Sequence, residues 1–369
     1  MIAMNNLAAT SAAERAAMLE ACARVLDSGW YVLGRELTRF EQAWAATCGV
    51  AYGVGVGNGM DAIEIALRSL RIGPGDEVIT TAMTAFATVL AIQRAGATPV
   101  LADIDPATAL LDPASVRRCL TPRTKALVLV HLYGQMRGMG GWMALCHDAG
   151  IELIEDCAQA HLAQSQGRVA GSWGRAGAYS FYPTKNLGAI GDAGMLVSHD
   201  KALAQAAAQL RNYGQSVRYH HPVLGMNSRL DELQAALLME RLPALAAATG
   251  RRRTIAAALH QALSNPGVRL LAAPEETTAH VHHLFVLTCD KRDALQAHLQ
   301  AQGVQSLIHY PVPVHHQPPC AGVAIDPRGM AATEAHAATC LSIPCAPHLT
   351  DANVDQMIEA INSFARSEA

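Results

Sequence analysis

Two short runs, Ala126-Leu127-Val128-Leu129-Val130 and Ile151-Glu152-Leu153-Ile154-Glu155, limit most sharply what this chain can become. Each has strand length and is apolar enough to be buried, and a helix-length segment around 139–148 lies between them. A helical crossover of that kind brings the second strand back parallel to the first, where an antiparallel return needs only a tight turn. The rhythm repeats. Glu77–Thr80 reads as a strand after the turn Gly73-Pro74-Gly75-Asp76, a helix runs through 86–95, and Thr98–Asp103 and Met195–Val197 are further strands. The expected class is α/β, with a mostly parallel sheet covered by helices on both faces. Ligands of such sheets gather at the carboxyl ends of strands. His131, Tyr133, Asp156 and Gln159 all follow a strand directly.

Upstream, residues 11–26 form a capped, alanine-rich helix, with Ser11 as N-cap and Glu14 completing a capping box. Gly29–Gly34 breaks it, and Trp30 and Tyr31 between the glycines fit a lid or a packed turn equally well. Downstream, 215–228 is loop-like, and a long helical pattern starts at Arg229 and is interrupted at Pro243. The domain boundary falls there, giving a large domain over 1–245 and a smaller C-terminal α+β domain over 246–369. The small domain reads as a helix, a strand at Leu284–Leu287, a helix over 292–302, a strand at Ser306–Ile308 and two terminal helices.

Charge and composition exclude several classes. A net charge of −3 leaves no basic stripe for nucleic acid, and Arg251-Arg252-Arg253 is the only basic run. No apolar run approaches the roughly 20 residues needed to cross a bilayer. The N-terminus lacks the charged and apolar segments of an export signal. Nine cysteines without a CxxC pair read as reduced, mostly buried thiols, so the expected compartment is the cytoplasm. The pairs His282-His283 and His315-His316 are adjacent in sequence and lack zinc-site spacing, so no metal is expected.

The chemistry converges on three places. Gly57-Asn58-Gly59-Met60 turns a short strand into a helix whose first amides are free to meet a phosphate. The glycines do not make GxGxxG, so a mononucleotide or simple phosphate fits better than a dinucleotide. Lys185 lies in Ser180-Phe181-Tyr182-Pro183-Thr184-Lys185-Asn186-Leu187-Gly188, a tight loop in which an amine can be desolvated and hold a carbonyl as a Schiff base. Asp156 ends a buried strand 29 residues earlier. A buried carboxylate is what keeps the ring nitrogen of pyridoxal phosphate protonated, the condition for its action as an electron sink. Phosphate cradle, pyridinium partner and Schiff-base lysine are the three requirements of that one cofactor.

At these residues the sequence resembles the DegT/DnrJ/EryC1/StrS family of sugar aminotransferases. The matching words are Ile154–His161, Ser180–Asp192, Val130–Gln135, Arg211–Gly214, Asn227–Ala236 and Ile308–Pro313. The resemblance covers the chain from about Trp30 to Leu349. It implies the fold of type I pyridoxal-phosphate enzymes and a transfer of an amino group from an amino acid, such as L-glutamate, to a keto group of a nucleotide-linked (dTDP- or UDP-) sugar. Lys185 would be the catalytic Schiff-base lysine and proton shuttle. Asp156 would face the pyridine nitrogen and Gln159 the ring. Gly59 and Met60 by their amides, and Ser180 by its hydroxyl, would bind the phosphate. Asn227 would reach the phosphate of a neighbouring subunit, implying a homodimer with shared sites. Tyr31, His161, His309 and Tyr310 would touch substrate. Gln159–His161 and Asn227–Arg229 look more like enzymes acting at the sugar C3 than at C4. Arg218–His221 resembles enzymes for UDP-linked 3-keto sugars, and Ser180–Asn186 also fits those for dTDP-linked ones. The alternatives left open are C4 amination and a non-catalytic, cofactor-binding regulator. One departure stands out: the family's aromatic residue after the threonine matching Thr84 is here Ala85, with Phe86 one place later.

Overall fold

The alternation of strands and helices closes into one eight-stranded sheet in the computed structural model, which describes residues 1–8 and 11–364. Two helices come first, α1 (Ala12–Ser28) and α2 (Arg35–Cys48). Then follow β1 (Tyr52–Val56), α3 (Gly59–Ser69), β2 (Glu77–Thr81), α4 (Phe86–Arg94), β3 (Thr98–Ala102), α5 (Pro113–Cys119), β4 (Thr124–Val130), α6 (Met139–Ala149) and β5 (Glu152–Asp156). A two-residue hairpin, β6 (Gln164–Ser165) with β7 (Arg168–Val169), precedes β8 (Ala176–Ser180), β9 (Gly194–Ser198), α7 (Lys201–Leu210), α8 (Glu232–Arg241) and α9 (Leu245–Ala262). The remainder is β10 (Val268–Leu270), β11 (Phe285–Cys289), α10 (Arg292–Ala301), β12 (Ala324–Ile325), α11 (Ala331–Thr339), β13 (Cys340–Ile343) and α12 (Asp351–Asn362).

The large sheet has the order β1-β9-β8-β5-β4-β2-β3-β12. Its pairs are parallel except at β9, which runs antiparallel to both β1 and β8. The period of two along β4 explains why the strand is apolar throughout. Leu127 and Leu129 enter one core with Phe40, Trp44 and Trp142, while Ala126 and Val128 enter the other with Ile63, Ile65 and Leu67.

Five of the helix starts are capped by a local side chain, Asp112 at α5 and Asp200 at α7 among them. Ser11 accepts from the Glu14 amide, Asn58 from the Asp61 amide and Thr350 from the Asn353 amide. The start of α2 has no such residue, because Gly34 stands at its cap. The Glu232 carboxylate supplies the need from α8, accepting from the amides of Gly34 (2.8 Å), Glu36 (2.8 Å) and Leu37 (3.0 Å). The same segment is tied again by a Val32–Asp231 bridge and by the Glu232 amide donating to the Tyr31 carbonyl at 3.1 Å.

A second, antiparallel sheet of order β10-β11-β13 carries its own core of Leu287, Leu295, Leu299, Leu341 and Met357. The chain crosses between the two sheets more than once. Ile2 pairs with Val304 and packs into the second core, while β12 adds a strand to the edge of the large sheet beside β3.

Several details differ from the sequence reading. The strand expected at Ser306–Ile308 is a single bridge between Leu307 and Ser342, because Pro311 and Pro313 follow at once and cannot donate to a ladder. The long helix expected from Arg229 begins at Glu232, since the Ser228 amide is already committed to the Arg211 carbonyl at 2.9 Å. Strands β8 and β13 form without a pattern that marks them in the sequence.

Candidate functional site

The end of β5 delivers Asp156 to the bottom of the site. One carboxylate oxygen accepts from the Thr88 hydroxyl at 2.9 Å and the other from the Ala158 amide at 3.1 Å. Thr88 is held in turn by Thr84 one helical turn earlier, hydroxyl to hydroxyl at 3.0 Å. The carboxylate is buried, and among the described residues no arginine pairs with it. The cation it acts on is Lys185. Burial pushes the Lys185 amine down to about 8, and the Asp156 charge opposes that shift. The residue as a whole is half-buried, and its amine is enclosed. The Lys185 loop is fixed by its own backbone, with the Lys185 amide on the Tyr182 carbonyl at 2.8 Å. Asn186 anchors it further, its carbonyl oxygen 3.1 Å from the His283 ring.

The second wall is the start of α3. The Asn58 side chain caps the helix through Asp61 at 2.8 Å, and no helical carbonyl precedes the amides of Gly59 and Met60. Here backbone meets backbone. A Cβ on Gly59 would stand 2.7 Å from the Ser180 Cβ, and one on Gly194 would stand 2.3 Å from the Asn58 carbonyl. The ends of β8 and β9 therefore press against the helix start, and Ser180 joins Gly59 and Met60 in one cradle. Ser228 locks the cradle from outside, donating to Asp61 at 2.6 Å and accepting from the Gly57 amide at 2.9 Å. Its neighbour Asn227 is exposed on the surface of the chain.

The third wall is made of side chains. Gln159 accepts from the Tyr133 amide at 2.6 Å and donates to the Tyr310 hydroxyl at 3.3 Å. The Tyr133 hydroxyl donates to the His309 carbonyl at 2.6 Å and lies 2.9 Å from the His336 ring. His309 in turn meets the Ser342 hydroxyl at 2.9 Å. Tyr133 adopts φ +62° and Gly134 φ +94°, and a Cβ on Gly134 would lie 2.6 Å from the Gln159 carbonyl. Burial pushes Tyr310 up to about 12, with Asp156 adding to the shift. Burial pushes His309 down to about 4, with the Lys185 charge adding to that one. Both residues thus share the electrostatic surroundings of the Asp156–Lys185 pair.

The structure therefore brings together Lys185, Asp156, Gln159, Gly59, Met60, Ser180, His309 and Tyr310. Three others stand apart: Asn227, exposed on the surface, His161 and Tyr31. His161 is 0% exposed, ringed by Trp44, Tyr179 and Phe181 at centroid distances of 5.4–5.5 Å, so no substrate reaches it. The backbone of Ser180 lies near it, but neither ring nitrogen is in hydrogen-bond geometry, and burial pushes it down to about 3. This corrects the expectation of a substrate contact. Tyr31 is 53% exposed in the α1–α2 connection, away from these walls within a single chain. Phe86 packs with Val314, Cys320 and Met330, so its ring belongs to that cluster and Ala85 stands alone after Thr84. His131, also at a strand end, is bound 2.9 Å from Glu155, whose oxygens further accept from the amides of Gly171, Trp173 and Gly174. That pair is scaffolding.

Thr88, Asn186 and His283 escaped the sequence reading. Only Thr88 left a signal, as a second threonine one turn after Thr84. Arg252 escaped too. It is buried, donates to the carbonyls of Cys345 (2.5 Å) and His282 (3.3 Å), and lines a cavity of about 330 Å³ that also reaches Lys185, Arg241 and His348.

The fit to pyridoxal phosphate rests on these walls: an amide cradle that a single Cβ would fill, a buried carboxylate with no guanidinium partner among the described residues, and a buried amine that feels its charge.

The chain as a whole is similar to known proteins. The profile of the DegT/DnrJ/EryC1/StrS aminotransferase family matches residues 12–362. A dTDP-3-amino-3,4,6-trideoxy-alpha-D-glucose transaminase of Streptomyces venezuelae is 45% identical over 347 residues, 94% of this chain and 91% of that one. A protein of Geobacillus stearothermophilus named a pleiotropic regulatory protein is 43% identical over 349 residues, 93% of this chain and 94% of its own. The crystal structure of S. venezuelae DesV in complex with a ketimine intermediate superposes with a TM-score of 0.95 at 43% identity, covering 100% of this chain and 99% of that one.

Proposed function

The chain belongs to the DegT/DnrJ/EryC1/StrS aminotransferase family, and from that premise we propose that it aminates the C3 keto group of a dTDP- or UDP-linked sugar. The amino group comes from an amino acid, L-glutamate first among candidates, and the cofactor is pyridoxal phosphate. When bound, that cofactor supplies an electron sink and carries the amino group between the two substrates.

This chain's own residues do the rest. The amides of Gly59 and Met60 and the Ser180 hydroxyl hold the phosphate at the positive end of α3. Asp156, oriented by Thr88, holds a proton on the ring nitrogen. Gln159, fixed from behind by Tyr133, would lie against the ring of the bound cofactor, and His309 and Tyr310 would line the substrate side. Lys185, its amine lowered to about 8, takes and returns the proton that moves during transfer. The observation that carries the reading is the buried Asp156 carboxylate, held by the Thr88 hydroxyl at 2.9 Å, whose charge acts on the buried Lys185 amine. Amination at C3 draws support from the S. venezuelae transaminase, whose name places the amino group there.

The working unit is a homodimer with shared sites. Asn227 faces outward beside the cradle, and Trp30, Tyr31, Tyr213 and Leu224 expose large apolar surface. The compartment is the cytoplasm, where nine free thiols, eight of them buried, stay reduced. Among the described residues no helix is long and apolar enough to cross a membrane.

A second reading, a cofactor-binding regulator without turnover, draws on the name of the G. stearothermophilus relative. One experiment separates the two. The purified protein is loaded with pyridoxal phosphate, and its visible absorption is followed on adding L-glutamate, then a 3-keto dTDP- or UDP-sugar. Bleaching by glutamate and recovery with the sugar support the aminotransferase. An unchanged spectrum with every donor tried leaves the regulator.

A further inference from the structure

We propose that His315, His316 and Glu334 form a site for a divalent transition-metal ion such as Zn²⁺, outside the cofactor site. The two histidines stand on the short turn Val314–His316, and Glu334 comes from the first turn of α11. The Nε2 atoms of His315 and His316 lie 3.1 and 3.5 Å from the same Glu334 oxygen, and all three ligand atoms fall within 4.8 Å of one another. With metal–ligand bonds of roughly 2.0–2.2 Å, the ligands of a tetrahedral ion stand about 3.3–3.6 Å apart. Two of the separations are thus already near those a bound ion would impose.

The donor set is also suitable. Two imidazoles and one carboxylate suit zinc and its neighbours over calcium or magnesium, which take oxygen. The rings are close, with centroids 4.1 Å apart. A cation uses both neutral lone pairs and the carboxylate at once. His315 is held nearly buried, whereas the side chains of His316 and Glu334 are about half exposed, which leaves solvent access for entry and for a fourth, water ligand.

The position gives the site a consequence. The Val314 amide donates to the Ala82 carbonyl at 3.0 Å, and four residues earlier Tyr310 meets Gln159. On the other side, α11 is anchored by Thr333 to Asp103 at 2.6 Å and by His336 to Tyr133 at 2.9 Å. A bound ion would therefore tie the segment that carries Tyr310 to the helix that supports Tyr133.

The test is calorimetric titration of Zn²⁺ into untagged protein saturated with pyridoxal phosphate, alongside His316→Ala and Glu334→Gln. Both substitutions are at half-exposed side chains, and circular dichroism checks that the fold is kept. The expected result is one ion per chain, with affinity reduced about tenfold or more in each variant, since even partners outside the ligand sphere are worth that much. It should be accompanied by a higher thermal midpoint in the parent protein only. Absence of Zn²⁺ binding to the parent would overturn the proposal, as would equal affinity in the parent and both variants.

Discussion

The proposed phosphate side and the proposed substrate side of the site are built from different material. At the start of α3 the wall is backbone: Gly59 against Ser180, Gly194 against Asn58, with no room for one more carbon. Opposite, Tyr133, Gln159, His309, Tyr310, His336 and Ser342 make a wall of side-chain hydrogen bonds spanning more than 200 residues of sequence. A backbone wall is rigid and fails abruptly when a Cβ is added. A side-chain wall loses one bond at a time and degrades in steps of about 1 kcal/mol. The asymmetry suits a site that must hold one phosphate permanently and admit two substrates in turn.

The largest effect belongs to neither wall. Lys185→Ala should lower turnover by more than about 10⁴-fold with the circular dichroism unchanged, because nucleophile and proton carrier disappear together. Retention of full activity would sink the mechanism. Asp156→Ala should follow with a loss of roughly 10²–10⁴-fold, and Thr88→Val with a smaller one, both read from kcat. Near-normal rates for Asp156→Ala would remove its role at the ring nitrogen.

Gly59→Ala should cost about 1–3 kcal/mol of stability by overpacking against Ser180 and weaken cofactor retention on dialysis. Adding Ser180→Gly should restore part of the stability without restoring retention. Full recovery of both would mean that the Ser180 hydroxyl is not needed. Tyr133→Phe, in the side-chain wall, should cost about 1–3 kcal/mol in a denaturant titration and shift KM for the sugar more than kcat, leaving cofactor retention alone. If it releases the cofactor as readily as Gly59→Ala, the distinction between the walls fails.

The smallest effect is in pH. The neutral form of an amine is the nucleophile, and with Lys185 at about 8 its neutral fraction grows as pH rises through that value. Capture of pyridoxal phosphate by the apoprotein should be about tenfold slower at pH 7 than at pH 9 and level above it. A rate still climbing steeply toward pH 10.5 would place the amine in water and remove the desolvation argument.

The two walls also differ in how far the sequence reveals them. Glycines at a strand-to-helix turn and a lysine among small residues are local signals, so the order of residues alone is enough to place the cradle, Asp156 and Lys185. The parallel sheet is legible for the same reason, since a helix between two apolar runs leaves few topologies. The side-chain wall is visible only in part. His309 and Tyr310 come through family resemblance, while the supports from His336 and Ser342 depend on how the second sheet docks, which no periodicity encodes. His161 fails for a related cause: its place close to Asp156 in sequence says nothing of the aromatic residues that enclose it. The His315–Glu334 cluster is hidden because its third ligand sits 18 residues further on, outside any spacing rule.

Glu232 joins two surfaces that have no chemistry in common. Its carboxylate holds the start of α2, its amide holds the Tyr31 carbonyl, and five residues before it stands Asn227. The aromatic patch at Trp30–Tyr31 and the outward-facing asparagine are thus ends of one tie-rod. In the homodimer proposed above, whatever docks on the first would set the reach of the second, so assembly and cofactor grip would be mechanically geared, and a change as small as Glu232→Gln would be felt as slack between subunits before it is felt as lost catalysis.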